Sequence, residues 1–193
     1  MTHSARQLRY TYEEYLHALE ASHIKLEYCD GEIYAMAGGT PTHAFIAATV
    51  IRVLGARLLG TCKVFSSDLR IRVEATDLAT FPDVSVVCGE VRVAAGDRNA
   101  IVNPTLLVEV TSPSTEAYDR GEKQTHYKRL PGLAAVLICS HRRAEVTVIT
   151  KGPSGWTERV LGPGEMVTLA APPLQVDVAD LYQDATLDDA PPR

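Results

Sequence analysis

Hydrophobic positions follow a helical spacing in two segments near the start of the chain. Thr11 and Glu14 have the spacing of a capping box, and tyrosines and leucines then recur at helical intervals to about Ala21. A longer segment, residues 42–59, has a broad apolar face and is followed by Gly60. That face carries Phe45, Ile46, Val50, Val53, Leu54 and Leu58. We therefore expect a short first helix and a long second helix that packs on a sheet.

Strands are predicted where apolar and polar residues alternate or where β-branched residues cluster. Two short alternating stretches in IKLEYCDGEIYAMAGG are joined by Asp30-Gly31, which favours a tight hairpin turn and places Glu27 in the first strand. Three further segments predict central strands: CKVFSSDLRIRV, PDVSVVC and PTLLVEVTS. A polar helix is predicted from Tyr118 to Leu130, and later strands are predicted in AAVLICS, AEVTVITK, GWTERVL and LQVDV.

These elements indicate an α/β (α+β) fold in one domain. The chain has 193 residues, with neither an internal repeat nor a linker long enough to separate two domains. We expect a single domain over residues 1–183, followed by a disordered acidic tail over residues 184–193. Hydrophobic residues make up 46% and charged residues 22%, so the chain should bury a core unaided.

Charge, cysteines and the first residues bear on where the protein acts. A net charge of -5 argues mildly against non-specific attraction to a polyanion. Four scattered cysteines, without a CxxC pair, are expected to be reduced and buried: Cys29, Cys62, Cys88 and Cys139. The segment MTHSARQLRYTYEEY lacks an apolar signal core, and no apolar run reaches the roughly 18 residues that span a bilayer. We expect a soluble, cytoplasmic protein without membrane contact.

Two acidic residues stand in strongly apolar strand segments. Asp83 opens the strand in FPDVSVVC, and Glu109 lies inside LLVEVTS. Buried charges need a partner or a metal, and two such acids on neighbouring strands would offer the oxygen ligands that Mg²⁺ prefers. Glu27, between Leu26 and Tyr28, is a third candidate ligand. The alternative for each acid is an edge charge or an ion pair with a basic residue such as Arg70, Arg72 or Lys25.

Five strings in this order resemble the Uma family of endonucleases, within the restriction-endonuclease-like PD-(D/E)XK superfamily. They are KLEYCDGEIYAM, PTHAF, FPDVSVVC, LLVEVTSPSTEAYDRGEKQTHYKRLPGL and LGPGEMVTLAAPPLQVDVADLY. The resemblance extends from about Thr11 to Tyr182. It implies a mixed β-sheet flanked by helices, with Glu27, Asp83 and Glu109 holding Mg²⁺ or a similar ion such as Mn²⁺.

The chain departs from the simplest superfamily pattern at one position. That pattern has a lysine two residues after the strand acid, where this chain has Thr111. Lys123 is the candidate replacement, because it lies in line with Tyr127 and Leu130 on the stripe expected to face the sheet. Relocated lysines of this kind are also typical of the Uma family. The alternative is a surface ion pair of Lys123 with Asp119, one turn earlier.

Further residues are candidates for the same cleft. His43 has the position of a phosphate contact or proton shuttle, or of a local cap. Ser112 lies in the SPST segment, which ends a strand and prepares the next helix, so it is either structural or near the expected metal. Asp68 and Arg72 flank a strand edge and either line the cleft or face solvent.

These features together predict a metal-dependent endonuclease that hydrolyses nucleic acid, with DNA as the expected substrate. Asp83, Glu109 and the carbonyl of Val110 would bind the ion, and Lys123 would orient the attacking water. A homodimer is expected, because cleaving both strands of a duplex suits two-fold symmetry. Two alternatives stay open: a nucleic-acid-binding module that has lost the chemistry, and an assembly protein whose acids form ion pairs.

Overall fold

A computed structural model describes residues 9–36 and 38–188. The helices in these ranges are α1 (Tyr12–Ala21), α2 (Pro41–Arg57), α3 (Glu116–Arg120), α4 (Glu122–Tyr127) and α5 (Val178–Leu181). The strands are β1 (Leu26–Cys29), β2 (Glu32–Ala35), β3 (Cys62–Ser66), β4 (Arg70–Val73), β5 (Leu78–Thr80), β6 (Val84–Cys88), β7 (Val93–Ala94), β8 (Asp97–Ile101), β9 (Leu106–Val110), β10 (Ala135–Cys139), β11 (Val146–Gly152), β12 (Gly155–Leu161), β13 (Met166–Leu169) and β14 (Leu174–Asp177).

The strands form two large mixed sheets flanked by helices, which confirms the α+β class. The first sheet has the order β2-β1-β5-β4-β8-β7, and the second has the order β12-β11-β10-β9-β6-β3. The segment CKVFSSDLRIRV does not form one central strand, as its composition suggested, but is divided between the sheets. Its polar middle forms a hydrogen-bonded turn, in which the Leu69 amide donates to the Ser66 carbonyl at 3.2 Å. As a result β3 lies at the edge of the second sheet and β4 lies inside the first.

The N-terminal elements match the predicted pattern closely. Both hydrogen bonds of the capping box between Thr11 and Glu14 are present at the start of α1. Asp30 and Gly31 have φ values of 44° and 86°, as a tight hairpin turn between β1 and β2 requires. Tyr15 of α1 and Tyr28 of β1 are buried against each other. The first helix therefore covers the sheet that carries Glu27.

The long helix α2 packs on one face of the second sheet, as predicted. Ile46, Val50 and Leu54 share a core with alternate residues of β6 and β9. Phe45 departs from the prediction, because it lies one position off this i, i+4 row and is 44% exposed. The opposite face of the sheet, on which Leu107 of β9 lies, packs against β4 and the residues of α4.

The polar helix predicted from Tyr118 to Leu130 is instead two short helices. Gly121 separates α3 from α4 with φ -113° and ψ -95°, which is not a helical conformation. A Cβ at this position would lie 3.0 Å from the Ala117 carbonyl oxygen, so the break has little room for a side chain. The change of direction lets α4 bury Lys123 and Tyr127.

The prediction of four reduced cysteines is wrong for one pair. Cys62 of β3 and Cys88 of β6 are directly opposed in the antiparallel register and form a disulfide. Their separation of 26 residues in sequence conceals this pairing. Cys29 and Cys139 are free, and Cys139 is buried. The cysteines therefore no longer support the expected cytoplasmic location.

Residues 184–188, which belong to the segment expected to form a disordered tail, make hydrogen bonds with the domain. The Thr42 hydroxyl donates to the Thr186 carbonyl at 3.0 Å and to Asp188 Oδ1 at 2.9 Å. The Asp188 amide donates to the His141 carbonyl at 2.9 Å, and Leu187 packs on the core. Residues 189–193 and the first eight residues, on which the expectation about a signal segment rests in part, lie outside the described ranges. No helix in the described ranges is long and apolar enough to cross a membrane.

Candidate active site

Asp83 and Glu109 meet at one end of the second sheet. The strands β6 and β9 are antiparallel neighbours, and Val84 is paired with Val108. Asp83 directly precedes β6, and Glu109 follows Val108 in β9. The Val110 amide donates to Asp83 Oδ2 at 2.7 Å. The pairing of β6 with β9 ends at Val84 and Val108, and the Asp83 carboxylate accepts the hydrogen bond of the next β9 amide that faces β6.

Glu109 is a deeply buried acid. It is 3% exposed, and the Tyr127 hydroxyl of α4 donates to its Oε1 atom. Lys123 Nζ lies 3.0 Å from the same oxygen. Burial raises the pKa of Glu109 to about 8, an effect that the Lys123 charge opposes. Burial, followed by the Glu109 charge, also raises the pKa of Tyr127 well above its ordinary value.

Lys123 is the positive centre of a group of acids. Its Nζ atom lies 3.0 Å from Glu109 Oε1, 3.5 Å from Asp119 Oδ1 and 4.0 Å from Glu27 Oε1. Burial alone would lower the pKa of Lys123, but the three carboxylates outweigh it and raise this pKa well above its usual value. Lys123 does pair with Asp119, but both side chains are buried, so this contact is not the surface ion pair that the spacing also predicted. Thr111, two residues after Glu109, instead hydrogen-bonds His141 Nδ1 at 2.7 Å.

Glu27 reaches the group from the first sheet. Its Oε1 atom accepts a hydrogen bond from the Thr80 hydroxyl and another from the Phe81 amide at 3.4 Å. Asp119 was missed as a site residue, although it lies one turn before Lys123. It is 3% exposed, and burial raises its pKa. Its spacing from Lys123 predicts a surface ion pair equally well, and only the fold reveals that this acid is buried beside the candidate site.

His43 contacts Asp83 from the first turn of α2. Its Nε2 atom lies 3.1 Å from Asp83 Oδ2, and this hydrogen bond raises the pKa of His43 against the opposing effect of burial. The backbone amide of His43 also donates to the Thr40 side chain, which caps the helix. A Cβ on Gly39 would lie 2.9 Å from His43 Cγ, closer than carbon atoms normally approach. Glycine at this position therefore leaves room for the imidazole beside Asp83.

Most of these side chains, but neither Glu27 nor Tyr127, line a cavity of about 390 Å³. Its wall includes His43, Asp83, Glu109, Asp119 and Lys123. Val110, Ser112 and Lys25 also line it. The Ser112 hydroxyl lies 2.9 Å from the Thr115 hydroxyl, so it is part of the turn that leads to α3. We refer to this space as the acidic cavity.

Two of the residues expected in the cleft lie elsewhere. Asp68 is on the neighbouring turn, where it contacts Lys25 Nζ at 2.8 Å. Arg72 pairs with Asp77 and lies over the Tyr12 ring at 4.0 Å, so the expectation that it lines the same cleft is wrong. Its neighbours in β4 face the core between the sheets, and alternation turns Arg72 towards α1.

The donor chemistry of the acidic cavity suits a divalent cation, although no complete metal site is formed. Within residues 9–36 and 38–188, no three His, Cys, Asp or Glu side chains stand together as a metal-binding group. Asp83, Glu109 and Asp119 nevertheless offer hard oxygen atoms beside the Val110 backbone. Together with Glu27, these carboxyl groups outnumber the ammonium groups of Lys123 and Lys25, and the Lys25 ammonium is already paired with Asp68. A cation would offset this excess of negative charge.

Comparison with known proteins agrees with this architecture. A solved structure from Anabaena variabilis, described as a "putative nuclease belonging to DUF820", superposes with a TM-score of 0.72 at 20% identity. The match covers 88% of this chain and 96% of that one, and it shows a common fold.

Sequence relatives extend the comparison. Two uncharacterized proteins of Synechocystis sp. are 41% identical over 147 residues and 30% identical over 129 residues. The first match covers 74% of this chain and 75% of its relative, and the second covers 66% and 73%. The model of the Uma2 family, described as "Putative restriction endonuclease", matches residues 12–179. The match spans both large sheets and every acid of the cavity, and the chain therefore belongs to the Uma2 family.

Proposed function

We propose that this protein is a metal-dependent endonuclease that hydrolyses phosphodiester bonds in DNA. The observation that carries the proposal is the buried contact of Lys123 with Glu109, beside Asp83 in a cavity that reaches the surface. A nuclease needs acids to hold a cation and a fixed positive group near the phosphate. The acidic cavity combines both, with Glu109 in β9, Lys123 in α4 and Asp83 directly before β6.

The residues that would hold Mg²⁺ or Mn²⁺ are Asp83, Glu109 and the carbonyl of Val110. Glu27 would complete the metal shell or hold an outer water. When bound, the ion would supply positive charge that polarises the phosphate and lowers the pKa of a water molecule.

The protein's own groups have distinct tasks in this proposal. The Val110 amide and His43 hold Asp83 in place, and the Tyr127 hydroxyl fixes Glu109. Lys123, held by the surrounding carboxylates, orients the attacking water and offsets the negative charge that grows on the phosphate. His43 is also placed to accept or deliver a proton beside Asp83.

The test is cleavage of DNA with Mg²⁺ and with a chelator. We expect cleavage by the unaltered protein only when the metal is present. Asp83→Ala and Glu109→Ala should abolish cleavage and keep the native circular dichroism spectrum. Glu158→Ala, an exposed change in the outer strand β12, is the control and should cleave normally. Cleavage that survives in the Asp83 and Glu109 variants would overturn the proposal and favour an assembly role.

Three further properties belong to the same proposal. We propose DNA as the substrate, because the family model that matches residues 12–179 is described as a "Putative restriction endonuclease". We also propose a homodimer, because two-fold symmetry would bring one reaction centre to each strand. Light scattering should then give twice the chain mass of 21.0 kDa. The cytoplasmic location stays a prediction.

A further inference from the structure

The acidic cavity continues into a second cavity that no catalytic role explains. This neighbouring space has a volume of about 590 Å³. Ile24, Lys25 and Phe81 line both cavities, so the two spaces share a wall. Arg98 and Asn99 of β8 form the side of the second cavity that lies away from this shared wall. We refer to this second space, from Lys25 to Arg98, as the basic groove.

The groove is open and its exposed side chains are mainly basic or neutral. His23, Ile24, Arg98 and Asn99 are all exposed. Arg98 forms no side-chain hydrogen bond or ion pair with any residue in the described ranges. By contrast, Arg70 at the base of the groove is neutralised by Asp97 at 2.7 Å. The free positive charge of the groove therefore lies on its outer rim, where a ligand can reach it.

Lys25 stands at the junction of the two cavities and is held in place from one side. Its Nζ atom donates to the Ser67 carbonyl at 2.8 Å and lies 2.8 Å from Asp68 Oδ1. The Asp68 side chain is 84% exposed, so its contact with Lys25 is open to competition from another anion. A phosphate oxygen can replace that carboxylate without uncovering a buried charge.

We propose that the basic groove binds the DNA strand on one side of the bond that is cut, with Lys25 and Arg98 contacting its phosphates. This inference rests on the proposed function, because it takes the acidic cavity as the place of hydrolysis. The net charge of -5 opposes the approach of a polyanion, so local cations are needed beside the acids. A strand that passes Lys25 enters the acidic cavity directly, since both spaces share that wall.

Binding of a fluorescein-labelled 20-nucleotide DNA, measured by anisotropy, tests the proposal. All variants carry Glu109→Gln so that the strand stays intact while Mg²⁺ is present. Arg98→Glu should weaken binding about ten-fold and reduce the salt slope by about one. Arg159→Glu in β12, which makes the same charge change at an exposed position, should bind within about two-fold of the parent. Asp68→Asn should tighten binding, because it removes the carboxylate that competes for Lys25.

Equal losses in Arg98→Glu and Arg159→Glu, or no binding by the parent at low salt, would overturn the groove assignment. A DNA strand that carries a photoreactive base provides an independent check. We expect its cross-links in peptides that contain residues 22–25 and 98–99, and cross-links confined to other peptides would contradict the assignment. The binding and cross-linking experiments can fail or succeed independently of the cleavage test. Metal-dependent cleavage without these effects would reject the groove alone, and groove binding without cleavage would reject the proposed chemistry alone.

Discussion

Lys123 is the residue on which the charge balance of the site depends. Its ammonium is within 4.0 Å of three carboxyl groups, and it is buried together with Glu109 and Asp119. Carboxylates taken out of water are costly unless a positive group compensates them. The lysine therefore stabilises the native site before any substrate or ion is bound.

At pH 9, above the pKa of about 8 of Glu109, replacing Lys123 with Met should lower the free energy of unfolding by about 3–5 kcal/mol, because it leaves buried carboxylates without a counter-charge. Urea denaturation measures this loss. The double variant Lys123→Met/Glu109→Gln should regain part of the stability, since it also removes the buried Glu109 carboxylate that Lys123 no longer compensates. If the double variant is less stable than Lys123→Met, the account of this ion pair is wrong.

Gly39 controls the position of His43. A Cβ on Gly39 would push against the imidazole, whereas a Cβ on Gly38 would meet nothing within 4 Å. We expect Gly39→Ala to displace His43 from Asp83 and reduce the cleavage rate about ten-fold, a loss typical of weakened acid–base or positioning groups. Gly38→Ala is the matched control and should cleave normally. Equal rates in the two variants would show that His43 does not need this position.

Among the structural elements, β3 and β6 are joined both by the sheet and by the disulfide Cys62–Cys88. Closing a loop of this length by a covalent bond stabilises a protein by about 3 kcal/mol in chain-entropy terms. Cys62→Ala/Cys88→Ala should therefore unfold at lower urea concentration, and a reductant should destabilise the parent but not the variant. Alkylation of the unreduced, denatured protein should label only Cys29 and Cys139. Labelling of all four cysteines would contradict the bond.

Local patterns predicted the elements whose signals are contained in a few neighbouring residues. The capping box of α1, the Asp30-Gly31 turn and the apolar stripe of α2 are of this kind. Short strands such as β5 and β7 were missed, because two or three residues hold no measurable alternation. The division of CKVFSSDLRIRV between two sheets depends on long-range pairing, which no local pattern contains.

Sequence alone identifies those site residues that are single acids within apolar strand segments. Asp83 and Glu109 were found in this way, and the structure brings them to one sheet end. Asp119 and Lys25 gained their importance only from the fold, because their partners come from distant segments. Arg72 was misplaced because a strand edge in sequence does not reveal which face a side chain takes.

For the molecule as a whole, the ion pair of Arg70 with Asp97 connects the first helix to the first sheet. Tyr12 of α1 donates its hydroxyl to Asp97 Oδ2 at 2.6 Å, and Arg70 of β4 donates to the same carboxylate at 2.7 Å. Burial raises the pKa of Asp97, but these hydrogen bonds and the Arg70 charge together hold it below its ordinary value. The ionised carboxylate therefore stabilises the fold.

This interaction predicts a pH-dependent effect of Asp97→Asn. Because the folded pKa is lowered, the stabilisation is complete above the unfolded value of about 3.9 and is lost as the pH falls through the folded pKa. The variant should lose about 3 kcal/mol at pH 7 and much less at pH 2, as measured by urea denaturation. Asp180→Asn, in an exposed pair with Arg57, should change little at either pH. A loss from Asp97→Asn that is the same at both pH values would contradict the assignment.

The most direct test of the central claim is the anomalous diffraction of a crystal soaked in Mn²⁺. If Asp83 and Glu109 jointly hold a divalent cation, one peak should lie within about 2.5 Å of a carboxylate oxygen from each residue. The Val110 carbonyl should face the same peak. No peak in the acidic cavity at saturating Mn²⁺, or a peak that touches neither acid, would contradict the account.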